Sequence, residues 1–179
     1  MSYPPPYGAP PPPVPGQAPR PPRPTTVTAA AAALVGEAVL LLIGSVVSVL
    51  AADTLKKASD DYLAAHNAAS SNSYGTSEVF GIFFGLIFAA AFVGLALGIL
   101  RGNNVVRIIT WVVCGLVVCC VGFSTIGSIA VIGSYLPGGY LAYTYTVAFL
   151  ELVGFIATIV LLALPASNRY FNPKSQQPF

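Results

Sequence analysis

Four long apolar stretches, Val27–Ala52, Val79–Leu100, Ile108–Gly133 and Ala142–Leu164, take up most of this 179-residue chain. Each reaches the roughly 20 apolar residues that a helix needs to cross a hydrocarbon core of about 30 Å. An open strand in lipid would leave its N–H and C=O groups unpaired, so helices are the structure these stretches must adopt. Hydrophobic residues make up 55% of the chain and charged residues 8%, whereas a water-soluble fold carries about 25% charged residues to cover its surface. The expectation is an all-α protein: a four-transmembrane-helix bundle over residues 25–166, between a disordered proline-rich tail (1–24) and a C-terminal tail (167–179). The first span follows a long proline segment instead of a short basic one, and no small-residue cleavage site ends it, so it reads as a span and not as a signal peptide.

The basic residues set an orientation. Arg20, Arg23, Arg101, Arg107, Arg169 and Lys174 fall on one side of the spans, and Lys56 and Lys57 on the other. The second side also carries Asp53, Asp60, Asp61 and Glu78. The positive-inside rule then puts both termini in the cytoplasm of a plasma-membrane protein. Aromatic residues agree, with Tyr135, Tyr140, Tyr143 and Tyr145 near the outer boundary and Trp111, Tyr170 and Phe171 near the inner one, since such rings favour headgroup depth.

Twelve of the sixteen prolines lie in residues 1–24. Proline lacks an N–H and fixes φ, so this segment is expected to sample solvated polyproline II. Pro4-Pro5-Pro6-Tyr7 and its PxxP steps suit the aromatic-lined grooves of a protein partner, although a plain spacer explains them as well. Residues 53–78 form the external segment. Asp53 to Ala65 reads as a short helix with Leu55, Ala58 and Tyr62 on one face, a structural cap over the bundle. Asn67 to Ser77 reads as loop, with Ser77 as a cap for the second span. Gly102 in Arg101-Gly102-Asn103-Asn104 is placed to end a helix in the left-handed conformation.

Three segments carry a likeness to a known group: Arg23-Pro24-Thr25-Thr26-Val27-Thr28-Ala29-Ala30, the run Leu100-Arg101-Gly102-Asn103-Asn104-Val105-Val106-Arg107 through Trp111, and Leu164-Pro165-Ala166-Ser167-Asn168-Arg169-Tyr170-Phe171. In these the chain resembles small actinobacterial four-span membrane proteins of unknown function that have a proline-rich cytoplasmic tail. The resemblance implies the fold and the cell type, and no activity.

Glu37 and Glu151 are the sharpest features. Both fall inside spans, where a charged carboxylate costs at least about 2.5–3.5 kcal/mol, so such residues turn toward the bundle interior. Gly44 and Ser48 share a face with Glu37; Thr144, Gly154 and Thr158 share one with Glu151. In a structural reading each carboxyl is held by a hydroxyl such as Ser124 or Thr125. In a functional reading the pair takes up and releases protons or binds a cationic substrate. Gly81 and Gly85, Gly94 and Gly98, and Gly115 and Gly122 form small-residue ridges that let helices approach closely in lipid, within one chain or between copies in a homo-oligomer. Cys114, Cys119 and Cys120 lie inside the third span and His66 stands alone in the outer segment. No metal set, cofactor motif, catalytic constellation or nucleic-acid patch can be assembled from these residues. The sequence therefore points away from an enzyme, toward a membrane scaffold or interaction protein, with a small proton-coupled transporter using Glu37 and Glu151 as the alternative.

Overall fold

The computed structural model describes residues 22–67 and 74–172; the side chains of residues 74–79, 121, 124–126, 128 and 129 lie outside that description. The helices are α1 (Thr25–Leu50), α2 (Ala52–Ala65), α3 (Tyr74–Leu100), α4 (Asn104–Ile132), α5 (Gly138–Ala163) and α6 (Pro165–Phe171), with one 3-10 turn at Gly133–Tyr135. Among the described residues there is no strand. The proline-rich segment over residues 1–21 lies outside the described residues.

Proline and glycine set several of the helix ends. Pro24 is extended, at φ −65° and ψ 146°, and its carbonyl accepts from the N–H groups of Val27 and Thr28 at 3.1 and 3.3 Å. Pro137 does the same for Tyr140 and Leu141 at 3.0 and 3.1 Å. That start places the beginning of α5 ahead of Ala142, where the apolar run begins. Pro165 holds the first position of α6 and pushes Leu164 out of the helical region to ψ 148°, as expected of the residue before a proline. At the α3–α4 turn Gly102 has φ +73°. Its N–H donates to Ile99 O at 2.9 Å and that of Asn103 to Gly98 O at 3.4 Å, which satisfies the last carbonyls of α3. The Asn103 side chain then caps α4, accepting from Val105 N–H at 2.9 Å.

One expected boundary is corrected. α3 begins at Tyr74, so Tyr74 to Ser77 are helical, not loop, and Ser77 does not mark the start of the span. Once a helix is nucleated, each further residue adds a hydrogen bond for little additional cost, and the apolar run from Val79 extends backward through the five residues Tyr74 to Glu78.

The centre of the bundle is α1. Its buried positions Val27, Ala30, Ala31, Leu34, Glu37 and Ala38 repeat every three or four residues and so form one stripe. That stripe packs most extensively against α3 and then α5, while α4 packs on α5 and α3. The Phe92 and Phe155 rings, 5.4 Å apart between centroids, fill the space between α3 and α5. Hydroxyls inside the helices bond back to their own backbone: Ser45 to Leu41 O, Thr110 to Val106 O, Thr144 to Tyr140 O and Thr158 to Gly154 O, all within 3.0 Å. Large apolar side chains including Phe83, Phe84, Leu116, Phe149 and Val160 point outward. α1, residues Phe80–Leu100 of α3, and α5 are each long and apolar enough to cross a membrane; Asn104–Cys120 of α4 is a shorter apolar stretch.

The two ends of the bundle differ. At one end α2 lies against the 3-10 turn and α4. Ala58 is buried, Leu55 and Tyr62 are half-buried, and Asp53, Lys56, Lys57, Asp60 and Asp61 are exposed, so the inward face is the expected one. Tyr62 meets Tyr135 edge to face with centroids 6.0 Å apart. The other end carries the start of α1 and α6. The Ser167 hydroxyl donates to Leu161 O at 2.7 Å, which leaves its oxygen to accept from the Thr26 hydroxyl at 2.8 Å. The Tyr170 hydroxyl donates to Leu100 O at 2.9 Å. These bonds tie the first and last described segments together at one end.

Candidate functional site

Two carboxyl groups meet in the middle of this bundle. Glu37 is on the buried stripe of α1 and is 4% exposed. Glu151 is half-buried and leads the inward stripe of α5 that continues through Phe155, Thr158 and Leu162. Glu37 is twelve residues from Thr25 at the start of α1, and Glu151 is twelve residues from Ala163 at the end of α5. At 1.5 Å per residue both lie about 18 Å from the end that carries α6. Counting from the edges of the apolar runs sets them at different levels; the helices themselves bring them level.

Glycine makes the meeting possible. The Glu37 carboxyl occupies the space that a Cβ on Gly154 would take, so it lies directly on the backbone of α5, one turn from Glu151. The two carboxyls are within electrostatic reach of each other. The Cys114 thiol, buried on α4, is within reach of Glu37, and the Tyr143 hydroxyl, two turns along α5 from Glu151, is within reach of that residue. The Tyr143 hydroxyl is also buried with no hydrogen-bond partner among the described residues.

The other residues singled out from sequence fall as follows. Ser124 and Thr125, expected as hydroxyl partners for the carboxyls, are in α4 but their side chains lie outside the described residues. Thr158 is buried beside Gly154 and its hydroxyl is committed to Gly154 O at 2.9 Å. Gly44 and Ser48 do not join the pair: a Cβ on Gly44 would meet nothing within 4 Å, and Ser48 bonds to Ser45 O at 2.8 Å. Of the six ridge glycines, Gly85 lies against Ser45 and Leu41 of α1, and Gly98 against Val106 of α4; Gly81, Gly94, Gly115 and Gly122 face open space. No group of three or more His, Cys, Asp or Glu residues able to hold a metal occurs among the described residues.

Sequence reasoning passed over Cys114, placed in the third span without a role, and Tyr143, taken as an interfacial aromatic. The available signal was spacing: Tyr143 and Glu151 are eight residues apart, two turns on one helix face. It also passed over Arg107, counted as a flanking charge, which is buried at 5% exposure. Comparison with protein-family models, with curated proteins and with solved structures found no match.

Proposed function

We propose that the chain is a non-catalytic, multi-pass plasma-membrane protein that crosses the bilayer four times through α1, α3, α4 and α5, and that it acts as a small proton-coupled transporter. The four-span reading rests on the apolar length of α1, α3 and α5 together with the 29 residues of α4, about 43 Å at the helical rise. Cytoplasmic termini rest on the uneven distribution of Lys and Arg. The three short motifs support placing it with the small actinobacterial four-span proteins that it resembles.

One observation carries the transport reading. Two glutamates distant in sequence meet at one level in the middle of an apolar bundle. Among the described residues no basic side chain stands beside the pair to offset a second negative charge, so charging both carboxyls at once is costly and the pair is placed to exchange a proton. Losing or gaining that proton changes the charge in the α1–α5 interface, and the interface is a direct carboxyl-to-backbone contact that must respond. The half-buried Glu151 gives the pair an access side, with Tyr143 between it and the α2 end as a relay for the proton.

The test is infrared difference spectroscopy of the protein in lipid, on wild type and on Glu37→Gln and Glu151→Gln, together with proton flux into liposomes. A carboxyl band that titrates across the physiological pH range and is lost in a Gln variant, along with the flux, is the expected result. Both carboxyls staying protonated throughout, with unchanged flux, would leave the pair a structural joint.

The second reading, a membrane scaffold, is favoured by one feature of α2. Its charged face is turned outward while its apolar face closes the bundle, which leaves a surface for a partner outside the membrane to complement the proline-rich segment inside. Deleting residues 1–24 separates the readings, because partner capture would be lost while proton flux would persist.

A further inference from the structure

Arg107 is a buried cation without a counter-charge among the described residues. It heads the inward stripe of α4 that continues through Thr110 and Cys114, and it is 5% exposed. One guanidinium nitrogen, Nη2, donates to Asn168 Oδ1 on α6. The guanidinium carbon lies 4.5 Å from the centre of the Trp111 ring and 5.3 Å from that of Phe171. These contacts hold the group by its faces and one edge. Nε is left buried with no hydrogen-bond partner among the described residues, and so is the indole Nε1 of Trp111, one turn along the same helix.

Guanidinium stays charged at every physiological pH, and a buried charge with unpaired donors is among the most costly arrangements a protein can keep. Among the described residues nothing relieves it here. Its six acidic residues are Glu37 and Glu151, in mid-bundle, and Asp53, Asp60, Asp61 and Glu78, at the α2 end. None belongs to the end where Arg107 sits. An acceptor that completes the site has to be anionic, small enough to reach two N–H groups four residues apart, and present at the edge of the apolar layer.

We propose that Arg107 and Trp111 form a binding site for a phosphate group, with Arg107 Nε and Trp111 Nε1 donating to its oxygens and Asn168 positioning the guanidinium, and that the phosphodiester of an anionic lipid supplies the group. The guanidinium fork matches the geometry of phosphate oxygens, and a phosphodiester carries one negative charge to balance one arginine. The neighbouring positions on α4, Val105, Ile108, Ile109 and Val112, are exposed and apolar, so acyl chains have a surface beside the site. Entry requires one of the two covering rings to turn aside. Phe171 is on the seven-residue α6, the shortest helix of the bundle, and is the ring that can yield.

Trp111 is the sole tryptophan of the chain, so the intrinsic fluorescence of the full-length protein reports on this site. Detergent-solubilised protein is titrated with short-chain phosphatidylglycerol, with short-chain phosphatidylcholine and with inorganic phosphate. The expected result is a saturable emission change with phosphatidylglycerol, weakened about tenfold or more in Arg107→Gln and also in Arg107→Lys, which keeps the charge and loses the fork. Phosphatidylcholine, whose choline cancels the charge, should give no saturable change. A saturable response to inorganic phosphate with none to phosphatidylglycerol would keep the phosphate site and reassign its source to the free ion. Absence of a saturable response to either phosphate probe, or full affinity in Arg107→Gln, overturns the proposal. If the Arg107 variants fail to fold, Trp111→Phe keeps the ring and removes the N–H. Native mass spectrometry of that variant should then show reduced retention of phosphatidylglycerol, and undiminished retention would equally overturn it.

Discussion

Replacing Gly154 by alanine tests the contact on which the carboxyl pair depends. The new Cβ would stand 2.9 Å from Glu37 Cδ and 3.6 Å from Cγ, and would overlap the carboxyl oxygen. Two effects then oppose each other. Alanine is favoured over glycine in a helix interior by about 1 kcal/mol. Forcing an extra carbon into a filled interface costs about 1–3 kcal/mol, and the flexible end of a glutamate keeps the cost toward the lower part of that range. The net expectation is destabilisation of up to about 2 kcal/mol. In a Glu37→Ala background the obstruction is gone, and the same substitution should stabilise by up to about 1 kcal/mol. The sign therefore reverses between backgrounds. A double-mutant cycle measured by SDS unfolding in mixed micelles, followed by circular dichroism, should give a coupling of about 1–3 kcal/mol. Equal effects of Gly154→Ala in both backgrounds, within about 0.5 kcal/mol, would refute the packing of Glu37 on α5.

Two other glycines should respond in opposite ways to alanine. A Cβ on Gly98 would sit 2.7 and 2.9 Å from the Val106 methyls, so Gly98→Ala should destabilise by about 1–3 kcal/mol; Gly94→Ala, which points into open space, should stabilise by up to about 1 kcal/mol in the same unfolding assay. Gly102→Ala must adopt φ +73°, at a cost of about 1–2 kcal/mol, and also press on the Tyr170 ring at 3.2 Å. It should therefore cost more than Tyr170→Phe, which loses only the 2.9 Å bond to Leu100 O, about 0.5–1.5 kcal/mol by the same measurement.

The four long helices were legible because lipid-compatible chains have few structural choices, and the end of α3 because Gly102 carries a local rule strong enough to stop a helix; α6 was not, since the sequence after residue 166 reads as a tail. The start of α3 was not, since Tyr74 to Ser77 have loop composition and become helical only by extension from the run that follows. Helix neighbours were not legible either. Nothing in the face shared by Glu37, Gly44 and Ser48 says whether it turns to α3, α4 or α5. That Glu37 meets Glu151 follows from α1 lying between α3 and α5, a property of the whole bundle. The depth of each glutamate was readable only to within a turn, because apolar runs and helices do not share their ends. Arg107 was misread for a related reason: a charge count locates it on one side of the membrane, but its burial depends on Asn168 and Phe171, contributed by a helix sixty residues later.

The missing counter-charge at Arg107 can also be supplied from within the chain. Asn168→Asp preserves the shape of the side chain whose oxygen already accepts from Arg107 Nη2. It replaces a neutral acceptor with a carboxylate. It also removes the Asn168 Nδ2 bond to Ala163 O, which at 3.3 Å is long and contributes little. A hydrogen bond to a charged partner is worth about 1.5–3 kcal/mol against about 1 kcal/mol for a neutral one. Because Asn168 is exposed, solvent screening holds the gain near 1 kcal/mol or below. The variant should therefore be slightly more stable than wild type in SDS, and the gain should shrink as salt is added. It should at the same time lose the fluorescence response to phosphatidylglycerol, because an internal carboxylate repels the phosphate that would otherwise neutralise the arginine. These two results need each other. Greater stability with lipid binding intact would mean that Arg107 is not the group the phosphate neutralises. Loss of binding with no gain in stability would mean that the guanidinium was already compensated by something other than lipid. Only the pair of outcomes, stability gained and phosphate lost, fits a buried cation that borrows its anion from the membrane.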